Sequence, residues 1–133
     1  MPLKKSPGGS IFPYPYKGGE LFGLHLGSFG TDEEAVISRM KAEAIFFADQ
    51  NRSMGLWMDF YETRLTDRVI GELLEFLRHT GNRLRKLGLV GCSPVTRRKI
   101  SRLLQKTGDL ATLPVKYFDD PEDAKTWLVS ERG

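Results

Sequence analysis

The stretch from Gly55 to Lys106 constrains this chain most. It opens on a short apolar run, GLWMDF, followed by a polar turn and the amphipathic segment LTDRVIGELLEFLRHTG. A second apolar run, LGLVGC, leads into SPVTRRKISRLLQK. Apolar runs of strand length alternating with helical periodicity, joined by short connections, predict right-handed βαβ units and a parallel sheet. Strands are expected at 55–60 and 87–92. Between them a helix over 66–80 presents Val69, Ile70, Leu73, Leu74 and Leu77 as its buried side, with Gly81-Asn82 as its stop. Ser93 is a natural N-cap, and Pro94 sits at the first helical position, where its missing N–H costs nothing. Ile100, Leu103 and Leu104 then face inward, and Thr107-Gly108 ends that helix.

The flanks extend the same pattern. IFPYPY (11–16) is aromatic but carries Pro13 and Pro15, which limit it to an edge strand. ELFGLHLGSF (20–29) alternates, with Phe22, Leu24 and Leu26 on one side and Leu21, Gly23 and His25 on the other. It is expected to pair antiparallel with 11–16 across the turn at 17–20. Thr31 and Glu34 have capping-box spacing, and a helix runs to about Gln50 with Val36 or Ile37, Met40, Ala44, Phe47 and Ala48 as its apolar side. VKYF (115–118) is the last strand, and Asp119 or Asp120 caps a final helix begun by Pro121. The expected fold is therefore α/β: a mixed five-stranded sheet, mostly parallel, with helices packed on it. Trp57, Leu74, Leu89 and Leu103 are expected in its core.

At 133 residues the chain fits one domain. Residues 1–10, rich in Pro, Gly, Ser and Lys, are expected to be a flexible N-terminus, and 11–133 the domain. One cysteine excludes an internal disulfide framework, and two histidines in unrelated segments give no metal spacing. No cofactor or metal is expected. No apolar stretch reaches the roughly 20 residues of a spanning helix. The lysines at the start precede no apolar run, so a secretory signal is not indicated and a cytoplasmic protein is expected.

In open α/β sheets, ligands bind beyond the carboxyl ends of parallel strands. That rule selects Asp59, Tyr61 and Arg64 after one strand, Cys92, Ser93 and Thr96 after the next, and Asp119 and Asp120 after the last. The helix start at Ser93 suits an anion, although capping alone explains Ser93 and Asp120. Cys92 to Arg98 spells Cys-x5-Arg, the spacing of cysteine phosphatases, in which a thiolate attacks phosphorus and an arginine holds the oxyanion. Against catalysis, SPVTR holds no glycine for a tight phosphate loop, and Pro94 removes one N–H donor. From Arg78 to Lys106 the charged residues are all basic. A basic surface for nucleic acid or an acidic partner follows as an alternative, but no aromatics interleave with the cations, and nucleic acid is the less favoured partner. The aromatic run Phe12, Tyr14 and Tyr16 is either core edge or a contact surface, with a homodimer as one use.

The element order strand, strand, helix, strand, helix, strand, helix, strand, helix resembles the sulfate-transporter and anti-sigma-factor-antagonist (STAS) domain. LWMDFYETRLTDRVIGELLEFL is similar to that family's strand, acidic residue, loop and helix. Asp59 matches the aspartate that ends the strand, and Asp67 the aspartate just before the helix. LGLVGCSPVTRRKISRLLQKTG and VKYFDDPEDAKTWL resemble the two later strand–helix units, so the likeness spans roughly residues 20–130. It implies a non-enzymatic binding or regulatory module for a protein partner or small ligand. Antagonist members carry a phosphorylated serine directly after the second aspartate, where this chain has Arg68 and Val69. The resemblance therefore implies recognition by the loop from Glu62 to Asp67 without that switch. Thr66 and Thr63 are the nearest hydroxyls, and Thr66 is expected to cap the helix by accepting from the Val69 N–H.

Overall fold

The computed structural model describes residues 4–80 and 83–130. Its main sheet has five strands: β3 (Tyr14–Tyr16), β4 (Gly19–His25), β5 (Met54–Asp59), β6 (Leu84–Val90) and β7 (Val115–Phe118), lying side by side in that order. β3 runs antiparallel to β4, and each later pair is parallel. Helices α1 (Glu33–Gln50), α2 (Asp67–Thr80) and α3 (Pro94–Gln105) connect the parallel strands, and α4 (Pro121–Leu128) follows the last one. The mixed, mostly parallel α/β sheet expected from the sequence is the fold.

Strand order explains the layering. Crossovers of one hand between strands laid down in sequence order all fall on the same face. The side chains of α1, α2 and α3 accordingly share one core with Phe22, Leu24, Leu56, Met58, Leu87 and Leu89 of the sheet. α4, the last described element, packs on the opposite face. There Ala124 and Leu128 pack on Leu21, Trp57 and Val90. Glycines make room for it. A Cβ on Gly55 would come within 3.1 Å of Leu128, and one on Gly88 within 3.4 Å of Ala124. Each fully buried leucine or phenylalanine of these cores contributes roughly 1.5–3 kcal/mol relative to exposure.

Several expectations shift in detail. Asp32, not Thr31, caps α1, its carboxylate accepting from the Ala35 N–H at 3.1 Å. α1 ends at Asn51, which takes the left-handed conformation. Leu74 and Leu103 are half-buried against the core, while Leu73, Phe76 and Leu77 of α2 and Leu104 of α3 fill it. Trp57 and Leu89 are buried as expected. Ala48, placed on the apolar side of α1, is exposed. The stop at Gly81-Asn82 lies outside the described residues.

The segment 11–16 divides at the cis Phe12-Pro13 bond. Tyr14–Tyr16 joins the main sheet as expected, whereas β2 (Ile11–Phe12) pairs with β1 (Lys4–Lys5) in a separate two-stranded ribbon. Residues 4–10, expected to stand apart from the domain, pack on it. Ser6 and Ser10 are buried. Glu43 of α1, fully buried, accepts from the Ser6 hydroxyl and the Gly8 N–H, each at 3.1 Å. Ser10 bonds the Gly23 carbonyl of β4. A polar strap thus closes the aromatic cluster in which Phe12 meets Phe22 edge-on at 5.1 Å and Phe22 stacks on Phe47 at 5.7 Å.

Candidate functional site at the carboxyl edge of the sheet

The parallel strands end together in His25, Asp59, Val90 and Phe118, with His25 and Asp59 register partners. The loop after β4 and the loop after β5 are zipped to each other beyond that edge. Ser28 N–H donates to Tyr61 O at 2.6 Å, Gly30 N–H to Glu62 O at 2.9 Å, and Arg64 N–H to Gly30 O at 2.8 Å. Thr63 holds both loops at once: its hydroxyl donates to Leu26 O at 2.6 Å and accepts from Phe29 N–H at 3.1 Å. Ser28 and Glu62 have positive φ, 65° and 53°. Non-glycine residues in that region persist only where surrounding bonds over-determine them, and such positions cluster at functional loops.

The first turns of α1, α2 and α3 converge on the same edge. Thr66 caps α2 as expected, accepting from the Val69 N–H at 3.2 Å, and its hydroxyl donates to Glu33 of α1. Arg68 stands 2.6 Å from Glu34 and 3.8 Å from Glu33. These two carboxylates, the nearer one first, hold its guanidinium even further into the charged form. Asp67 pairs with Lys99 of α3. Ser93 caps α3, accepting from the Thr96 N–H at 3.3 Å and donating to the Thr96 hydroxyl at 3.0 Å. Asp59 is half-buried and accepts from the Tyr61 N–H at 2.9 Å. Asp120 caps α4 through the Glu122 N–H at 2.9 Å.

Capping and turn closure therefore account for Asp59, Thr66, Ser93 and Asp120. What remains outward is Tyr61, 62% exposed, and Val95, 66% exposed, with Arg64 also on the surface. Tyr61 and Val95 are both large apolar side chains, one on the loop after β5 and the other in the first turn of α3. Two concave features lie elsewhere. A groove of about 490 Å³ between α1 and α2 is lined by Met40, Ile45 and Phe76, and a wider one of about 1090 Å³ borders Arg78, Lys106 and Leu110.

No family model, curated protein or solved structure matches this chain.

Cys92 and Arg98 differ in their surroundings. The thiol is buried, and burial pushes it up to about 11 despite the nearby Arg97. Arg98 is exposed. The arginine that reaches this turn is Arg97, whose Nε donates to Cys92 O at 3.0 Å while a terminal nitrogen stands 2.8 Å from Asp119. Sequence reasoning missed Arg97, although its place one turn beyond Ser93 was available as a signal. The bonds made by Thr63, Glu33 and Lys99 were not foreseen either. Their partners lie more than 30 positions away, beyond any local pattern.

The basic run from Arg78 to Lys106 is divided by the fold. Arg78 pairs with Glu75 in α2, Lys99 with Asp67, and Arg97 with Asp119. Lys86 points to the opposite face of the sheet, where it donates to Trp127 O at 2.9 Å and Ser130 O at 2.8 Å at the end of α4. A cation at a helix carboxyl terminus satisfies its last carbonyls. Among the described residues, no group of three His, Cys, Asp or Glu could hold a metal ion, and no helix is long and apolar enough to cross a membrane.

Proposed function

We propose that this chain is a non-enzymatic STAS-like module that recognises a protein partner constitutively through the carboxyl edge of its sheet. The observation that carries the reading is the state of the α2 start. Arg68 fills the position of the switch residue and is tied to Glu33 and Glu34, and the neighbouring Thr66 hydroxyl is committed to capping and to Glu33. A phosphate there would meet Glu33 and Asp67 as like charges, which disfavours a phospho-switch. The pre-zipped loops lower the ordering cost of binding, as pre-organised contact surfaces do. Tyr61 and Val95 supply apolar anchors, and Arg64 supplies a polar contact.

The reading predicts site-selective contact in the cell of origin. A photo-crosslinking amino acid placed at position 61 should give a discrete protein adduct, and one placed at Ile45, exposed on α1, should not. Val95→Asp should remove the adduct at 61. Equal adducts from both positions, or an adduct unaffected by Val95→Asp, would overturn the reading. Intact mass of the native protein supplies a second check. A stoichiometric phosphate on Thr63 or Thr66 would show that the switch had moved to a threonine.

A further inference from the structure

The face of the sheet covered by α4 carries an arrangement unrelated to the carboxyl-edge surface. Tyr14 and Tyr16 stand two apart on the edge strand β3 and so project to the same side, with ring centroids 6.5 Å apart. Trp57 lies on β5, two strands away, with Gly23 between them on β4. Because Gly23 has no side chain, the indole lies over the β4 backbone, its Nε1 2.7 Å from where a Cβ at Gly23 would be. The three rings thereby come round one point.

That point holds an ammonium group. Lys125 Nζ stands 5.3 Å from the Tyr14 centroid, 5.9 Å from that of Tyr16 and 5.4 Å from that of Trp57. Glu122 closes the box, with Oε2 at 2.8 Å from Nζ. The Lys125 side chain is only 16% exposed. Two or three aromatic faces with one carboxylate are the composition that binds alkylated ammonium groups, whose charge is spread over methyls that the ring faces attract. The buried Trp57 Nε1–H finds no acceptor among the described residues. The indole is thus set for its face and not for its donor, an arrangement that forgoes a buried hydrogen bond.

We propose that Tyr14, Tyr16, Trp57 and Glu122 form a binding box for an alkylated ammonium ligand, in which Lys125 is a tethered occupant that competes with it. A primary ammonium is more strongly hydrated than a methylated one and gives up more on entering the box. A methylated ammonium of a free ligand or a modified side chain is therefore the better occupant. Its entry would turn Lys125 outward and unfasten α4 from Tyr16, which α4 also meets through Glu122 and Thr126.

The test uses choline and its neutral isostere 3,3-dimethylbutan-1-ol, read from the indole N–H signals of Trp57 and Trp127, assigned with Trp127→Phe. Lys125→Ala should bind choline at least tenfold more tightly than the wild type does and tenfold more tightly than it binds the isostere. Tyr14→Ala in that background should remove the gain. Equal binding of the isostere, or no movement of the Trp57 signal in folded Lys125→Ala, overturns the proposal. A second measurement needs no variant that empties the box. Reductive dimethylation of the wild type with labelled formaldehyde turns Lys125 into its own methylated ligand. Its methyl signal should be shifted upfield by the three rings, apart from the other lysines, and should return to them in Tyr14→Ala. A Lys125 signal that coincides with the other lysines would also overturn it.

Discussion

The indole of Trp57 occupies the space that a side chain at Gly23 would need. A Cβ there would come within 2.5 Å of the indole Cζ2 and 2.7 Å of its Nε1. His25, two residues along the same strand, meets the ring edge-on at 5.0 Å and flanks it on that side. Gly23→Ala is expected to destabilise the fold by about 1–3 kcal/mol through overpacking. Gly71 gives the contrast. It is exposed within α2 with nothing within 4 Å of its would-be Cβ. Gly71→Ala should stabilise by about 0.4–1 kcal/mol, because alanine is the better helix former. Urea unfolding of both variants reads the two opposite signs.

Within α2 the depth of burial differs between neighbours. Leu73 is fully buried and Leu74 only partly. Leu73→Ala should cost about 2–5 kcal/mol, as deletion of a packed leucine does. Leu74→Ala should cost clearly less in the same unfolding measurement. Equal costs would mean that the helix is rotated about its axis from the position described.

Thr66 joins two helices through one hydroxyl, as the cap of α2 and as a donor to Glu33 of α1. Thr66→Ala should lower stability by about 1 kcal/mol from loss of the cap. Thr66→Ser retains both bonds and should stay within about 0.5 kcal/mol of the wild type, within the range of ordinary surface changes. On the binding reading proposed above, neither variant should alter partner affinity appreciably, since Tyr61 and Val95 stay in place.

With its thiol pushed up to about 11, Cys92 is ionised in roughly one molecule in ten thousand at pH 7. The native protein should react with a disulfide reagent far more slowly than a free thiol, and at the free-thiol rate once unfolded in guanidinium. It should also hydrolyse p-nitrophenyl phosphate no faster than Cys92→Ser does. A robust rate lost in that variant would restore the cysteine phosphatase reading and overturn the binding-module one.

How far the sequence foretells the structure depends on the range of the interaction. Apolar periodicity over 55–118 locates three of the four parallel strands, β5, β6 and β7, because each helix or strand declares its buried side within its own few residues. The cap at Ser93 was legible for the same reason, as was the Thr66 cap. The choice between Thr31 and Asp32 was not, since both can cap and only the path of the incoming loop decides. The strap at residues 4–10 was hidden by its composition. Glycine and serine read as a loose terminus, and the carboxylate that orders them, Glu43, lies on the helix face where an apolar residue is expected. The zipped loops of the candidate site were hidden likewise, because the bonds of Thr63 and Ser28 run between segments more than 30 residues apart.

Glu43 makes the last prediction, because its carboxylate is held inside the fold by the strap. Burial raises its pKa above the ordinary carboxylate value, and the bonds from Gly8 and Ser6, with the charge of Arg39, pull it back only in part. A raised acid pKa means that the folded chain holds its proton at pH values where the unfolded chain has released it. Between the two pKa values unfolding therefore releases a proton, and the Glu43 contribution to stability falls as pH rises through that window. It is largest below the unfolded value and smallest above the folded one. Glu43→Gln removes the titration but keeps an oxygen for the Gly8 N–H and a nitrogen to bond the Ser6 hydroxyl. The variant should match or exceed wild-type stability at neutral pH and lose ground to it as the pH is lowered through the window. Urea midpoints across that range measure the difference. A difference that does not change with pH, or that moves in the variant's favour on acidification, would show that Glu43 does not titrate with a raised pKa in the folded protein.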